Sequence, residues 1–362
     1  MKYRLNSIEV LHSENRILSI DVLRGIATLS VVCFHFDYLP FGYLGVDLFF
    51  VISGALVSQP LIYSLKNNDK IKFGRFFISR GFRIWPSFYC FIVIGMLVGV
   101  IVLNPITNNE TIRLEYAARY IFFYRNYTPG PHFWTFDHLW SICVEEHFYV
   151  ILPVCFVAVY YCCLEKKTGI LVLVLLLIAL GVSSKLVGYI TRIGEYSSYT
   201  NNRIDALAYG VLISWLKIYQ VFDWKKYRMR AIGVLGVVML AVTIGLRVRL
   251  DVDFYDIFFV HAFAPLGFAL IIFGFYDVKS DSILIMPIRF IAYYSYNWYL
   301  WHPLIATGCK LLFGSGIYSF FIYVTTSFLV AIAMTIGVEE FFLKYRKPVL
   351  ERLNFKHGIA RS

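Results

Sequence analysis

Ten ionisable side chains stand in stretches that are otherwise apolar: Asp21, Arg24, His35, Asp47, Glu145, Glu146, Lys185, Arg203, Asp205 and His302. Charge is costly in a hydrocarbon surrounding, so such groups either pair with one another or do chemical work. Arg24 and His35 are eleven residues apart. On a helix that separation is about 20° off three full turns, so the two share one face, about 16 Å apart along the axis. A neutral imidazole is the side chain poised to accept a proton near pH 7. A neighbouring carboxylate, Glu145 or Glu146, would orient the ring and stabilise its protonated form. Asp47 is a candidate for the same orienting role, or for a pair with Arg203. Arg80 and Arg83, one helical turn apart beside Trp85 and Pro86, have the spacing of a phosphate clamp. Asp21 and Arg24, three residues apart, also suit a plain ion pair, as do Arg203 and Asp205 near the end of an apolar run. His302 precedes Pro303, where a satisfied histidine in a kinked helix is an equal reading. Ser53 beside Gly54 reads first as close helix packing.

The elements that must position these groups are membrane helices. Of 362 residues, 59% are hydrophobic, 19% aromatic and only 16% charged, against about 45–50% apolar and about 25% charged in a soluble domain. This excludes a soluble enzyme on a tether, a disordered regulator and a nucleic-acid-binding protein. The net charge of +11 is what basic cytoplasmic loops supply. Runs long enough to span a bilayer fall near 17–37, 43–63, 84–103, 139–164, 169–190, 201–220, 231–246, 256–276, 288–310 and 318–343. The expectation is an all-α polytopic membrane protein of about ten transmembrane helices, with 1–362 as one membrane domain. With both termini cytoplasmic, 22 Lys and Arg fall in inner segments and 6 in outer ones, the asymmetry the positive-inside rule demands. Segment 104–138, with Pro129, Gly130, Pro131 and Trp134, is expected to be a partly helical outer cap. On this topology Arg80 and Arg83 abut the inner start of the third span. His35, Asp47, Glu145, Glu146 and His302 lie in the outer half. Cations at one end and a histidine with carboxylates at the other suit a long anionic cytoplasmic molecule whose reactive tip reaches the outer leaflet. The seven cysteines show no metal spacing and read as small buried apolar side chains. No cleavable leader is apparent at the N-terminus, and no metal site is expected.

At these residues the chain resembles the membrane-bound acyltransferase-3 family, bacterial proteins that O-acylate glycans and related acceptors. The matching segments are ILSIDVLRGIATLSVVCFH (17–35), GYLGVDLFFVISG (42–54), FISRGFRIWPSFY (77–89) and HLWSICVEEHFYVILP (138–153), followed by NRIDALAYG (202–210) and YNWYLWHPLI (296–305). The resemblance implies that Arg24 and His35 match the arginine and histidine of the family's first span, and Arg80 and Arg83 its R-x-x-R motif. Both sets are regarded as needed for activity. It implies an acyl-CoA co-substrate, acetyl-CoA or succinyl-CoA, and no permanently bound cofactor. The acceptor would be an extracytoplasmic glycan, a lipid-linked sugar or a small hydroxylated metabolite. The setting would be the inner membrane of a bacterium, in modification of cell-envelope polysaccharide. Glu145-Glu146-His147 departs from the usual Glu-Glu-Gln, placing a titrating ring beside the carboxylates. The hydrolase-like domain that some relatives carry after the membrane part has no counterpart here, so a second transfer step would need another protein. Tyr124, Tyr127, Trp134 and Trp298 suit sugar stacking or an interfacial belt equally. The residues alone leave open a transporter or flippase for a glycan or anion, or a catalytically silent partner in polysaccharide export. Against transport stand the missing inverted repeat and the shortage of broken helix pairs.

Overall fold

The computed structural model describes residues 17–107, 116–128, 135–191, 196–221, 229–250, 255–280 and 282–359. No strand occurs among them. The long helices are α1 (Leu18–Phe34), α2 (Leu44–Lys66), α3 (Phe73–Val98), α4 (Trp140–Cys162), α5 (Lys166–Thr191), α6 (Ile204–Ile218), α7 (Met229–Leu250), α8 (His261–Phe275), α9 (Met286–Phe313), α10 (Ile317–Met334) and α11 (Glu340–Ile359). Each of the ten expected spans coincides with a helix.

Among the described residues, seven helices are long and apolar enough to cross a membrane, and the chain is a multi-pass membrane protein. The other three helices expected to span fall short for identifiable reasons. Helix α1 has 17 residues and α6 has 15. Helix α9 has 28 residues, but its centre, Tyr-Asn-Trp-Tyr-Leu-Trp-His, is aromatic and polar rather than aliphatic. Helix α3 starts at Phe73, eleven residues before the expected span at 84. Arg80 and Arg83 therefore lie inside the helix, in its second and third turns, and not at its start. Helix α10 likewise does not stop near 343. It passes through a π-helical turn, Thr335–Glu339, into α11.

The chain forms two compact units, each assembled from two stretches: Met1–Lys70 with Val154–Ser295, and Ile71–Pro153 with Tyr296–Ser362. In the first unit the tightest packing joins α2 to α6. A side chain at Gly54 would place its Cβ 1.9 Å from the Leu207 carbonyl oxygen, and one at Gly210 would lie 2.1 Å from that of Val51. Two small residues facing each other are what let helix backbones approach this closely inside a membrane, and Ser53-Gly54 is such a packing point. In the second unit α9 packs on α10 through buried Trp298, whose Nε1 donates to Ser327 Oγ (2.8 Å). Trp298 is thus an internal packing residue, and the sugar-stacking role considered for it falls away. Segment 104–138 is partly helical, with short turns at Asn104–Thr107, Ala117–Ile121, Arg125–Tyr127 and Asp137–Leu139. Pro129, Gly130, Pro131 and Trp134 lie outside the described residues. Of the cysteines only Cys143 and Cys309 are buried, whereas Cys162 is exposed. Buried apolar packing therefore does not describe them all.

Candidate functional site

The first unit contains His35, Arg24 and Asp47. His35 caps the C-terminal end of α1, with αR backbone angles, and its ring meets Phe34 edge-on at 5.4 Å. Phe34 in turn packs on Tyr43 (5.6 Å), and Tyr43 on His261 (5.9 Å). Arg24 Nη2 donates to Ser295 Oγ (3.0 Å). Arg289 Nε faces Asp21 at 3.5 Å, a cation that spacing along α1 alone could not supply.

Beyond Tyr43 lies a buried charge network. Asp47 stands in the first turn of α2 and Asp205 in the first turn of α6, where the helix N-terminus favours an anion. Arg203 Nη1 donates to Asp47 Oδ1 (2.8 Å) and to His261 Nδ1 (2.8 Å), while Arg203 Nε donates to the Ser197 carbonyl. Lys185, on α5, donates to Asp205 Oδ2 (2.5 Å) and to the His261 carbonyl (2.6 Å). Two cations thus meet two carboxylates, all four nine-tenths or more buried. Sequence reasoning named Asp47, Lys185, Arg203 and Asp205 and missed His261. The signal was present, since His261 lies in an apolar run like the other ten groups.

The second unit contains Arg80, Arg83, Glu145 and Glu146. The sequence reading put the two arginines at one end of the membrane and the carboxylates toward the other, whereas Arg80 lies within electrostatic reach of Glu145, Tyr149 and Arg346. Helix α3 begins before the apolar run, and Trp85 on it reaches α4's carboxylates. Tyr149, one turn along α4, donates to Glu145 Oε2 (2.8 Å). Trp85 Nε1 donates to Glu146 Oε2 (3.1 Å). Glu146 is 6% exposed, and its Oε1 has no partner among the described residues. His147 turns to a different face and packs on Tyr127 at 5.8 Å.

Helix α9 closes this polar core. The Tyr296 hydroxyl donates to the Ile84 carbonyl (2.9 Å) and is within electrostatic reach of Glu145, Glu146 and Glu339. Asn297 Nδ2 donates to Thr335 Oγ1 (3.0 Å) and Glu339 Oε2 (2.8 Å), the two ends of the π-helical turn. Glu339 is accordingly a buried, hydrogen-bonded group. His302 Nδ1 donates to the carbonyls of Tyr299 (2.8 Å) and Trp298 (3.1 Å), so that nitrogen is satisfied within its own helix. Ser141 is tied to the His138 carbonyl and the Tyr299 hydroxyl (2.9 and 2.6 Å). Among the described residues no three His, Cys, Asp or Glu side chains converge as metal ligands. Tyr149, Tyr296 and Asn297 escaped the sequence reading, and Trp85 entered it only as a neighbour of the arginines, because neutral aromatic and amide groups carry no charge signal.

The sequence pattern of an acyltransferase domain, that of the acyltransferase-3 family, matches residues 17–337. An O-acetyltransferase-named protein of Staphylococcus aureus (strain COL) is 27% identical over 93% of this chain and 58% of its own length. O-acetyltransferase OatA of Staphylococcus aureus (strain NCTC 8325) is 24% identical over 96% of this chain and 59% of its own. Peptidoglycan O-acetyltransferase OatA of Listeria monocytogenes is 30% identical over 39% of the chain and 24% of its own length. The chain thus spans less than two-thirds of the length of these relatives. No solved structure matches.

Proposed function

Since the chain belongs to the acyltransferase-3 family, we propose that it is a membrane O-acyltransferase. It moves an acetyl or succinyl group from cytoplasmic acyl-CoA to a hydroxyl of an extracytoplasmic glycan or glycolipid. The observation that carries the reading is the family match across 17–337, which includes Arg24, His35, Arg80 and Arg83. The membrane is the inner membrane of a bacterium, crossed ten times with both termini cytoplasmic. The supports for that topology are the ten helices and the concentration of Lys and Arg in alternate loops.

Arg80 and Arg83 hold the phosphates of the acyl-CoA, since guanidinium groups one turn apart present several donors to one anion. Arg24 contributes a further positive charge. His35 acts as general base: it takes the proton of the acceptor hydroxyl as the oxygen attacks the thioester carbonyl. The carbon–sulfur bond breaks, the ester remains on the acceptor, and the proton passes to the leaving thiolate. Glu145, Glu146 and Asp47 are the carboxylates available to orient and stabilise charge. Of the three, Asp47 is paired with Arg203. The acceptor class draws on the relatives' names, one of which specifies peptidoglycan.

The test is transfer of radiolabelled acetyl from acetyl-CoA in inverted membrane vesicles, comparing wild type with His35→Ala and Arg80→Ala/Arg83→Ala at matched expression. Label in a lumenal glycan fraction with wild type alone is the expected result. Folded protein showing no His35-dependent label from either acetyl- or succinyl-CoA overturns the assignment and favours transport of a glycan or anion.

A further inference from the structure

Among the buried polar atoms of the second unit that make no hydrogen bond within the described residues are Ser87 Oγ, Glu146 Oε1 and Trp301 Nε1. Their residues are 2%, 6% and 4% exposed. Leaving such a group unsatisfied is costly, so native proteins rarely keep one without something to meet it. The three sit on α3, α4 and α9. These helices are joined at this level by the Trp85–Glu146 bond, the Tyr296–Ile84 bond and the edge-on contact of Trp301 with Phe91 (5.2 Å, 89°).

They also follow in line from Arg80. Ser87 is seven residues beyond Arg80 on α3 and Phe91 eleven beyond, each within about 20° of a whole number of turns, so all three share one face. Ser87 therefore lies on the strip between Ile84, which receives Tyr296, and Phe91, which receives Trp301. Along the axis Ser87 is about 10 Å from Arg80 and Phe91 about 16 Å. The chemistry of the strip is a cation, then a hydroxyl and a carboxylate oxygen, then an indole N–H beside aromatic edges.

We propose that Ser87, Glu146 and Trp301 recognise the amides of the pantetheine arm of acyl-CoA, an inference that rests on the donor reading above. The arm has thirteen bonds from phosphorus to sulfur, the length of about four extended residues, or about 15 Å. It carries two amides, each with one N–H and one carbonyl oxygen. With its phosphate at Arg80, an extended arm runs the length of the strip. Glu146 Oε1 accepts an amide N–H, Trp301 Nε1 donates to an amide carbonyl, and Ser87 Oγ serves either. A neutral amide chain also suits Glu146 better than an anionic ligand would.

The test is equilibrium binding to the full chain in nanodiscs of three probes: CoA, pantetheine (the arm without phosphates) and adenosine 3′,5′-bisphosphate (phosphates without the arm). Trp301→Phe keeps an aromatic ring and loses the N–H with the pyrrole half of the indole, and Ser87→Ala provides a second, smaller change. Each is expected to weaken CoA and pantetheine about five- to tenfold, the worth of one hydrogen bond, and to leave the bisphosphate unchanged. Arg80→Gln should do the converse, weakening CoA and the bisphosphate but not pantetheine. Unchanged CoA and pantetheine binding in both Trp301→Phe and Ser87→Ala overturns the proposal, and so does an equal loss for all three probes. A wild type that binds none of the three instead overturns the donor reading itself.

Discussion

The two units bury charge in opposite ways. In the first, Lys185 meets Asp205 and Arg203 meets Asp47, so four ionised groups from α2, α5, α6 and the turn before α6 neutralise one another. One oxygen of Asp205 has no partner among the described residues, but its charge is met by Lys185 at the other. In the second unit, Glu146 meets only the neutral indole of Trp85, and one oxygen faces no protein donor. A closed network has no need of a ligand, whereas an open one does. The first cluster therefore reads as a lock on helix packing, and the second as the place where a substrate completes the hydrogen bonding.

The largest expected effect is on the closed network. Removing one partner of a buried ion pair leaves an uncompensated charge and costs about 3–5 kcal/mol. Asp47→Leu or Arg203→Leu alone should therefore lower the folded yield and melting temperature sharply, while Asp47→Leu/Arg203→Leu together should recover most of the loss. Thermal unfolding of the detergent-solubilised protein reads both. If the double variant folds and still transfers acyl groups, Asp47 has no chemical role. Equal stability in all three variants would break the distinction between the units.

A smaller loss is expected where backbones touch. Gly210→Ala drives a methyl to 2.1 Å from the Val51 carbonyl oxygen, and the resulting shift of α6 from α2 should cost about 1–3 kcal/mol. Gly74→Ala, with nothing within 4 Å of the added carbon, is the matched control. Its melting point should stay near that of wild type.

The open cluster should respond in the other direction. Glu146→Gln retains an oxygen for Trp85 and removes a poorly compensated charge, so the melting temperature should hold or rise. Acyl transfer should fall tenfold or more, a barrier increase of at least about 1.4 kcal/mol. A variant that melts early and transfers normally would place Glu146 with the structural charges of the first unit.

The contrast between the clusters was only half legible in the sequence. Helix positions and buried ionisable residues could be read, because apolar runs and charges within them are local signals. Partners were harder, since Asp21 meets Arg289 and Asp47 meets Arg203 across more than 150 residues. Depth failed at one point for a physical reason. Scanning for aliphatic runs starts the third span at 84, but α3 begins at Phe73 with Arg75, Arg80 and Arg83 inside it. The same bias hid Tyr296 and Asn297, because their polar atoms matter only once α3 and the π-helical turn at Thr335–Glu339 pack against them.

The smallest expected effect concerns a group that lies in the second unit but is fully satisfied. Trp298 is buried, packs at a tilt against Phe328 (4.7 Å) and donates to Ser327 Oγ. Trp298→Phe loses that one bond and part of the ring, which should cost about 1 kcal/mol, while Ser327→Ala removes the acceptor alone. Because both partners lie within the protein, the two changes should be non-additive, with the double variant little worse than Trp298→Phe. Trp301→Phe removes the same indole N–H three residues further along α9, but from a group without a protein acceptor among the described residues. Its melting temperature should therefore not fall as that of Trp298→Phe does. Equal thermal losses at the two tryptophans would mean that the N–H of Trp301 is already spent within the fold, leaving it nothing to offer a ligand.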